Sequence, residues 1–427
     1  MNQNINKLCA FLDQSKSVYH CAQQLRTRLE EEGYAYLPEG TPWDLKPGGK
    51  YYTVRNGAAV MAFRIPRSEP AGFMICAGHT DRPTFKMKEN PVIGGKYVRL
   101  GVEPYGGMIM STWLDRPLSL AGRVLVEADG KIESRLLDID RDLLLIPNVA
   151  IHMNRRINEG QSWNAAVDMI PLLGTAGSEE KLLELLEKTA GGKILGHDLF
   201  LYVRQKASVW GLEEEYLSAP AIDDLACIWC TLEGFLAAEE SRSVPLFCAF
   251  DNEEVGSETM QGAGSNMLEL QILRICRSMG WETDVLLSQT FMISADNAHA
   301  IHPNHPEFAD PNHAPVLNGG VVLKVNANQK YTTDGVSAAV FRTLCKKADV
   351  QMQTYCNRSD ILGGSTLGHI AMGHVSVHSA DIGLPQLAMH SCVETTGTRD
   401  VESMCKVMAC FFGSTYHSDQ DSTYQIL

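Results

Sequence analysis

An acidic doublet directly after an apolar run constrains this chain more than any other feature of its sequence. Glu253 and Glu254 follow residues 244–250, a run with the length and composition of a buried strand. In open α/β sheets, ligands bind at the carboxyl ends of the strands. Two adjacent carboxylates repel each other, so a cation or several hydrogen-bond donors must compensate them. A divalent metal ion is the simplest compensation, and a solvated acidic turn is the alternative that the doublet alone leaves open.

Other residues of metal-ligating types also follow strand-like runs. The runs that precede them are 72–77, 291–294 and 387–389. The residues that follow these runs are His79 with Asp81, then Asp296, and then His390. Taken singly, each fits a capped turn as well as a metal site. Together they place ligand-type side chains at several strand ends.

Asp223 and Asp224 precede the largely apolar stretch 225–236 and are predicted to open a helix. Acidic residues in a first helical turn are often only caps or partners of the helix dipole. With Asp223 included, the candidate ligands are two histidines, two aspartates and one glutamate. That set suits zinc or another borderline divalent ion, whereas calcium prefers oxygen ligands alone.

Five ligands exceed what one tetrahedral zinc ion needs. Two ions about 3.5–4 Å apart that share one carboxylate would use all five and leave room for a water molecule between them. The first carboxylate of the doublet, Glu253, would then be free to act as a base. The pattern therefore predicts a dinuclear hydrolytic centre.

Composition bounds the other possibilities. At 427 residues the chain exceeds the usual size of one hydrophobic core, which predicts two domains. A formal net charge of -14 argues against a nucleic-acid partner. No apolar run reaches the length of a membrane span, and the amino terminus lacks the apolar core of a signal peptide. These features predict a cytoplasmic protein without a membrane partner.

The twelve cysteines are scattered through mostly apolar sequence, which is not the pattern of a disulfide framework. Cys227 and Cys230 form one CxxC pair on a predicted helix, without the second pair that a structural zinc site would need. We therefore interpret them as buried cysteines rather than as a metal or redox site.

The predicted secondary structure changes from helical to β-rich in the middle third of the chain. An amphipathic helical region is predicted over 5–32, and short strands separated by turns are predicted from residue 86 onward. These strands include 108–113, and a helix is predicted at 178–186. We interpret residues 86–218 as a β-rich insertion within an α/β domain formed by 1–85 and 219–427.

The ordered segments that carry these residues resemble the aspartyl aminopeptidase family of metallopeptidases over essentially the whole chain. The segments are 79–81, 221–225, 251–257, 294–304 and 385–391, with 113–124, 151–152 and 324–331 in addition. The resemblance implies an α/β fold in which a central mixed sheet flanked by helices is interrupted by a β-rich dimerisation domain. It also implies a homo-oligomer, a dodecamer built from dimers.

The resemblance assigns roles to the predicted site. It implies two divalent ions, most simply zinc with manganese or cobalt as alternatives. The implied ligands are His79 and Asp296 for one ion and Glu254 and His390 for the other, with Asp223 shared. Glu253 would be the general base for a metal-activated water, and Asp81 would orient His79.

The implied activity is removal of amino-terminal residues from peptides, with Asp or Glu preferred. Lys324 and Tyr331 match pocket positions of the family, and a cation suits an acidic side chain. His299 is a further pocket candidate, and His152 is a candidate contact in a neighbouring subunit's site. Each has a simpler interpretation as a surface, core or capping residue. The sequence departs from the family at His369, where proline is more usual, which puts substrate preference in question.

Three other functions remain open at this point. The ligand set alone does not name the scissile bond, so a dinuclear carboxypeptidase or amide deacylase would fit. An aminopeptidase that prefers neutral residues also fits. A non-catalytic assembly protein is the alternative of a different class, and the presence of Glu253 argues against it.

Overall fold

The computed structural model describes residues 3–427. Helices within this range alternate with strands along most of the chain. The α-helices are α1 (Gln3–Gln14), α2 (Val18–Glu31), α3 (Lys181–Ala190), α4 (Ile222–Ala237), α5 (Met267–Met279), α6 (Thr283–Ser288), α7 (Gly335–Lys347), α8 (Leu367–Ala371) and α9 (Thr398–Phe412). Short 3-10 helices lie at Met110–Trp113, Ile157–Glu159, Glu253–Val255 and Pro306–Phe308.

The strands are short to moderate in length and belong to four sheets. They are β1 (Ala35–Tyr36), β2 (Lys50–Arg55), β3 (Ala59–Arg64), β4 (Phe73–His79), β5 (Thr84–Ile93), β6 (Tyr97–Tyr105), β7 (Leu118–Ala128), β8 (Lys131–Asp138), β9 (Leu172–Thr175), β10 (Ile194–Val203), β11 (Ser208–Trp210), β12 (Tyr216–Ala219), β13 (Val244–Phe250), β14 (Phe291–Ala295), β15 (Ala298–His299), β16 (Val321–Val325), β17 (Met352–Cys356), β18 (His378–Gly383), β19 (Pro385–Leu387), β20 (Glu394–Gly397), β21 (Tyr416–Ser418) and β22 (Tyr424–Ile426).

The largest sheet is mixed and has the strand order β1-β2-β3-β13-β4-β14-β18-β16-β17. Its four central strands, β13, β4, β14 and β18, are mutually parallel. Strands β3 and β16 flank them in the antiparallel sense. The central strands therefore all end at one edge of the sheet, which is where the sequence predicts the site.

Helices cover both faces of this sheet. Alternate side chains of β4 point to opposite faces of the sheet and belong to different hydrophobic clusters. Met74 and Cys76 share a cluster with α1, α4 and α9. Phe73 and Ile75 share the other cluster with α5 and α8. Burial on both faces explains why the central strands are continuous apolar runs rather than alternating ones. The predicted α/β fold with a helix-flanked mixed sheet is confirmed.

A second sheet, of six antiparallel strands, has the order β8-β7-β10-β5-β6-β9. All its strands come from residues 84–203, and it has a core of its own with α3. Strand β12 pairs instead with β11 and β20, in a five-stranded sheet. The β-rich content predicted for 86–218 is thus observed, while the division into two domains at those boundaries stays a prediction.

Several predicted elements differ in detail. The segment 108–113 is not a strand, because its last four residues form a 3-10 helix. The predicted helical region 5–32 is two helices, since the Ser17 side chain caps the start of α2 by accepting a hydrogen bond from the His20 backbone N–H. The helix predicted at 178–186 begins and ends later, at α3.

None of the helices in residues 3–427 is both long enough and apolar enough to cross a lipid bilayer.

Candidate metal centre

Three neighbouring strands deliver the first candidate ligands. His79 is the last residue of β4, and its register partner Phe250 is the last residue of β13. Glu253 and Glu254 follow within three to four residues, in a 3-10 turn. Asp296 comes directly after β14. Because β13, β4 and β14 are adjacent and parallel, these side chains meet at one edge of the sheet.

The other two candidates come from outside those strands. Asp223 lies in the first turn of α4, where Asp223 and Asp224 depart from helical backbone angles. His390 lies on a turn after β19 and has a positive φ of 65°. The apolar run before His390 thus does not extend as a strand to the histidine itself, because β19 ends at Leu387.

All five predicted ligands and Glu253 gather in three overlapping groups whose ligand atoms lie within 4.8 Å of one another. The groups are His79 with Asp223 and Asp296, His79 with Glu253 and Glu254, and Asp223 with Glu254 and His390. The side chains that the sequence predicts to lie together are therefore neighbours in the structure, while their roles stay a prediction.

Asp223 lies between the two histidines. Its Oδ1 is 3.5 Å from His79 Nε2, and its Oδ2 is 3.4 Å from His390 Nε2. Glu254 Oε2 is 3.5 Å from the same His390 nitrogen. One carboxylate oxygen thus faces each imidazole, which is the arrangement that a bridging ligand needs.

Backbone carbonyls orient both imidazoles. His79 Nδ1 donates to the carbonyl oxygen of Asp81 at 3.1 Å, and His390 Nδ1 donates to the carbonyl oxygen of Gly107 at 2.6 Å. A carbonyl can only accept, so each ring keeps its Nδ1 proton and turns Nε2 towards the cluster. This is how metal-binding histidines are commonly held.

The Asp81 side chain does more than was predicted. Its Oδ1 lies 3.3 Å from His79 Nδ1 and also accepts the backbone N–H of Glu253 at 3.0 Å. Its Oδ2 accepts the backbone N–H of Glu254 at 3.1 Å and the hydroxyl of Tyr105 at 2.7 Å. Asp81 therefore links the histidine to the turn that carries the acidic doublet.

Without a metal ion, the electrostatics of the cluster are those of crowded buried carboxylates. Burial raises the pKa of Glu253 to about 7 and that of Asp296 to about 6, although His79 and Lys324 act in the opposite direction. Burial, helped by Asp223, also raises the pKa of Glu254 well above its usual range. Asp223 differs, because the two histidines outweigh burial and lower its pKa.

The histidines respond in the complementary way. Burial acts to lower the pKa of His390, but Asp223 and Glu254 outweigh it and raise the pKa to about 10. Asp223 and Asp81 likewise raise the pKa of His79. The neighbouring carboxylates therefore favour the protonated form of both histidines.

The donor set fits a zinc-type ion. Asp223 Oδ1 and Glu254 Oε1 are buried without a hydrogen-bond partner in residues 3–427. Buried carboxylate oxygens rarely remain unpaired, and a cation would satisfy them. Two imidazole nitrogens among carboxylates favour a borderline metal such as zinc over calcium.

The predicted substrate residues lie in different surroundings. Lys324, in β16, is 2% exposed, and its Nζ donates to the carbonyl oxygens of Asp296 at 2.8 Å and Asn297 at 3.3 Å. The buried Tyr331 ring lies 5.2 Å from that Nζ. His299 contacts the ring of Tyr355 and lies within electrostatic reach of Lys324 and the cluster.

His152 lies apart from these residues. It is exposed on a turn of the inserted segment, and in the described part of the chain no hydrogen bond or ion pair joins it to the cluster. A single chain therefore does not bring His152 into the site. Cys227 and Cys230 are buried in α4 and belong to none of the three ligand groups, in line with their interpretation as core cysteines.

Sequence reasoning missed two residues that support the cluster. Glu394 is 2% exposed, and its carboxylate accepts the backbone N–H groups of Asp223 at 2.9 Å and His390 at 2.7 Å. Burial and Asp223 raise the pKa of Glu394 to about 8. Tyr105, at the end of β6, donates to Asp81 and accepts from the Asn252 amide. The only signal for Glu394 was its position four residues after His390.

Comparison with known proteins agrees with this geometry. The pattern of the aminopeptidase I zinc metalloprotease (M18) family matches residues 11–412. The chain is 41% identical over 423 residues to a probable M18 family aminopeptidase 2 of Clostridium novyi (strain NT), covering 95% of this chain and 98% of that protein.

Solved structures give the same result. A chain in the cryo-EM structure of the Ape4 and Nbr1 complex matches this chain with a TM-score of 0.93 at 34% identity. The match covers 96% of this chain and 85% of the other. The S. cerevisiae mApe1 dodecamer matches with a TM-score of 0.85 at 28% identity, covering 96% of both chains. The chain therefore belongs to the M18 family of zinc aminopeptidases and is a metallopeptidase that hydrolyses peptide bonds.

Proposed function

We propose that this aminopeptidase works with two zinc ions per chain, and that Glu253 is its general base. The observation that carries the proposal is the position of Asp223, whose two oxygens face one histidine each at 3.5 and 3.4 Å. His79 and Asp296 would complete one ion's protein ligands, and Glu254 and His390 would complete the other's. Manganese or cobalt would suit the same donors.

Zinc bound there would lower the pKa of a water molecule and polarise the scissile carbonyl group. The protein's own contribution is proton transfer by Glu253, which lies with His79 and Glu254 in one of the three groups. Glu253 would accept a proton from the attacking water and deliver it to the leaving amine. Asp81 supports this role by holding the Glu253 backbone N–H at 3.0 Å.

The direct test is metal analysis combined with a screen of amino-terminal residues. We expect two zinc ions per chain and release of the first residue from peptide anilides. Acyl-amino acids and carboxyl-terminal substrates should remain intact, and their cleavage would instead favour a deacylase or carboxypeptidase. Assembled, zinc-loaded protein without peptidase activity would favour a non-catalytic role.

We infer a preference for Asp or Glu at the amino terminus, because Lys324 places a buried cation beside Asp296. Burial acts to lower the pKa of Lys324, but Asp296 and Asp381 outweigh it and keep the ammonium charged. An acidic substrate side chain would gain a charge-assisted contact there. His299 and Tyr331 are the other proposed pocket residues.

Lys324→Met tests that preference against a second role for the lysine. If Lys324 selects substrate, the variant should lose more activity on Asp and Glu anilides than on Leu anilide. Equal loss on all three would mean that Lys324 acts through Asp296, whose carbonyl and carboxylate it contacts at 2.8 and 3.8 Å. Lys330→Met, at an exposed position nearby, is the control.

We also propose a homo-oligomer, a dodecamer built from dimers, in which His152 reaches the site of a neighbouring subunit. The fold similarity to the S. cerevisiae mApe1 dodecamer supports it. The exposed position of His152, remote from its own cluster, is consistent with such a contact. The twelve unpaired cysteines support a reducing cytoplasmic location.

A further inference from the structure

Three consecutive residues, the last of strand β6 in the six-stranded sheet and the two glycines after it, reach the metal centre. Tyr105 ends β6 and pairs with Thr84 of β5, so it belongs to the sheet built from residues 84–203. Gly106 and Gly107 follow it. Each of the three contacts a different part of the cluster, which is otherwise built from the strand ends of the main sheet, the start of α4 and the turn after β19 that carries His390.

Tyr105 contacts the half of the cluster that contains His79. Its hydroxyl donates to Asp81 Oδ2 at 2.7 Å and accepts the Asn252 side-chain N–H at 2.8 Å. Asp81 in turn contacts His79 and the backbone N–H groups of the acidic doublet. The ring is fixed edge-on against Phe200 of β10, with centroids 5.5 Å apart. The hydroxyl therefore has a defined position.

Gly107 contacts the other half. Its carbonyl oxygen accepts a hydrogen bond from His390 Nδ1 at 2.6 Å. Two residues later, the Ile109 backbone N–H donates to the His390 carbonyl oxygen at 2.9 Å. This carbonyl decides which imidazole nitrogen faces Asp223 and Glu254. No other described group holds the Nδ1 of His390 in place.

Gly106 lies between these two contacts and packs against the doublet itself. A Cβ built on Gly106 would lie 3.0 Å from the Glu254 Cβ and 3.3 Å from the Glu254 carbonyl oxygen. Its φ of +74° is in the left-handed region that favours glycine. The Gly106 backbone thus lies so close to Glu254 that any side chain at position 106 would press against it.

We propose that Tyr105, Gly106 and Gly107 position both halves of the metal centre, so that the six-stranded sheet is a working part of the active site. The inference rests on the proposed two-zinc function. The three are positioning residues, because they act through Asp81, Glu254 and His390 rather than on substrate. Mutation of a residue that holds a metal ligand in place commonly lowers metal affinity or activity by about 10–100-fold.

Two matched pairs of variants test the proposal. Tyr105→Phe removes the hydroxyl but keeps the ring against Phe200, and Tyr202→Phe removes a comparable hydroxyl-to-carboxylate bond, to Asp138 at 2.8 Å, elsewhere in the same sheet. Gly106→Ala adds a methyl group against Glu254. Gly130→Ala adds one at a nearly identical φ of +72°, with nothing within 4 Å.

Zinc affinity of the purified chain, measured by competition with a chelator, is the readout that does not depend on activity. We expect Tyr105→Phe and Gly106→Ala to bind zinc about 10–100-fold more weakly than their matched controls. In steady-state kinetics at saturating zinc, kcat should fall while KM changes little, because substrate contacts are intact. The controls should match wild type in both measurements.

Equal zinc affinity and kcat within each matched pair would overturn the proposal. A fall in thermal stability shared by both members of a pair, with no difference in zinc binding, would mean that the residues are only structural and would overturn it too. The wild-type protein tests the proposed function separately. Two bound zinc ions with no peptidase activity would reject that function while the zinc affinities still decide the positioning role.

Discussion

At the scale of single residues, the proposed role of His79 and His390 as zinc ligands would couple zinc binding to protons. In the metal-free chain the pKa of His390 is raised to about 10, and that of His79 is also raised. The pKa of His390 keeps that imidazole protonated at pH 7, whereas a zinc ligand must have a free Nε2 lone pair. Zinc that binds through His390 would therefore have to displace this proton.

We expect zinc binding at pH 7 to release at least about one proton per chain, since His390 must lose its proton before it can bind the metal ion. Affinity should fall as the pH is lowered. The folding stability of the protein without zinc should instead decrease as the pH rises. A histidine whose pKa is raised from 6.5 to about 10 on folding stabilises the fold below pH 6.5, and this contribution is lost as the pH rises through 10. The increase in Tm caused by zinc should thus grow with pH.

Calorimetric titration of zinc in two buffers with different ionisation enthalpies measures the released protons. His390→Ala should release fewer, and His305→Gln, on an exposed loop away from the cluster, should release as many as wild type. Zinc binding without net proton release would contradict the electrostatics described for the metal-free site.

The proximity of the proposed ligands could be predicted from sequence because each follows an apolar run or opens a helix, and parallel strands bring such positions together. Glu394 and Tyr105 could not be predicted in this way. Glu394 accepts the backbone N–H of Asp223, 171 residues away, and Tyr105 donates to the carboxylate of Asp81, and no local pattern records such contacts. His152 is the reverse case, since the resemblance named it but a single chain leaves it exposed.

At the scale of elements, close packing of α4 against α9 holds the helix that presents Asp223. A Cβ on Gly234 of α4 would lie 2.5 Å from the Met408 Cβ and 2.9 Å from the Ala409 backbone nitrogen, both in α9. Because backbone as well as side chain is in the way, the two helices would have to separate. The glycine is therefore a packing requirement rather than a flexible point.

Gly234→Ala should lower the stability of the protein. Alanine gains about 1 kcal/mol of helix propensity over glycine, but overpacking typically costs about 1–3 kcal/mol, so the steric cost should win. Thermal unfolding measures this as a lower Tm. Gly335→Ala, at the first residue of α7 with nothing within 4 Å, is the control and should leave Tm unchanged or raised. An unchanged Tm for Gly234→Ala would show that α9 can move without cost.

The sequence predicted the main elements well where burial repeats regularly. Central strands such as β4 and β13 are continuous apolar runs and were placed within a residue or two. The segment 108–113 is short and mostly apolar like a strand, but its last four residues form a 3-10 helix and its Ile109 N–H donates to the His390 carbonyl oxygen. Short apolar segments do not distinguish these outcomes until the distant partner is known.

At the scale of the whole molecule, exposed apolar side chains between residues 149 and 167 make this segment a candidate assembly surface. Met153 is 82% exposed, and Ile151, Val149 and Val167 are about half exposed or more. Apolar residues grouped on one loop are typical of a contact between proteins. The pattern agrees with the homo-oligomer inferred above.

Met153→Asp should weaken assembly, because a charge would be buried in an apolar contact. Light scattering coupled to gel filtration should show wild-type particles of about twelve times 47.0 kDa and smaller particles for the variant. Val285→Asp, at an exposed apolar position on α6, is the control and should assemble normally. A variant that assembles like wild type would place the contact elsewhere.

The central claim is that Glu253 transfers protons while its neighbour Glu254 holds metal. Glu253→Gln keeps the size of the side chain and removes its basicity, and a carboxylate base typically contributes about 10²–10⁴-fold. Measured together, turnover of an amino-terminal anilide should fall by at least about 10²-fold while the variant retains two zinc ions per chain. Near-normal turnover with both ions bound would contradict the account.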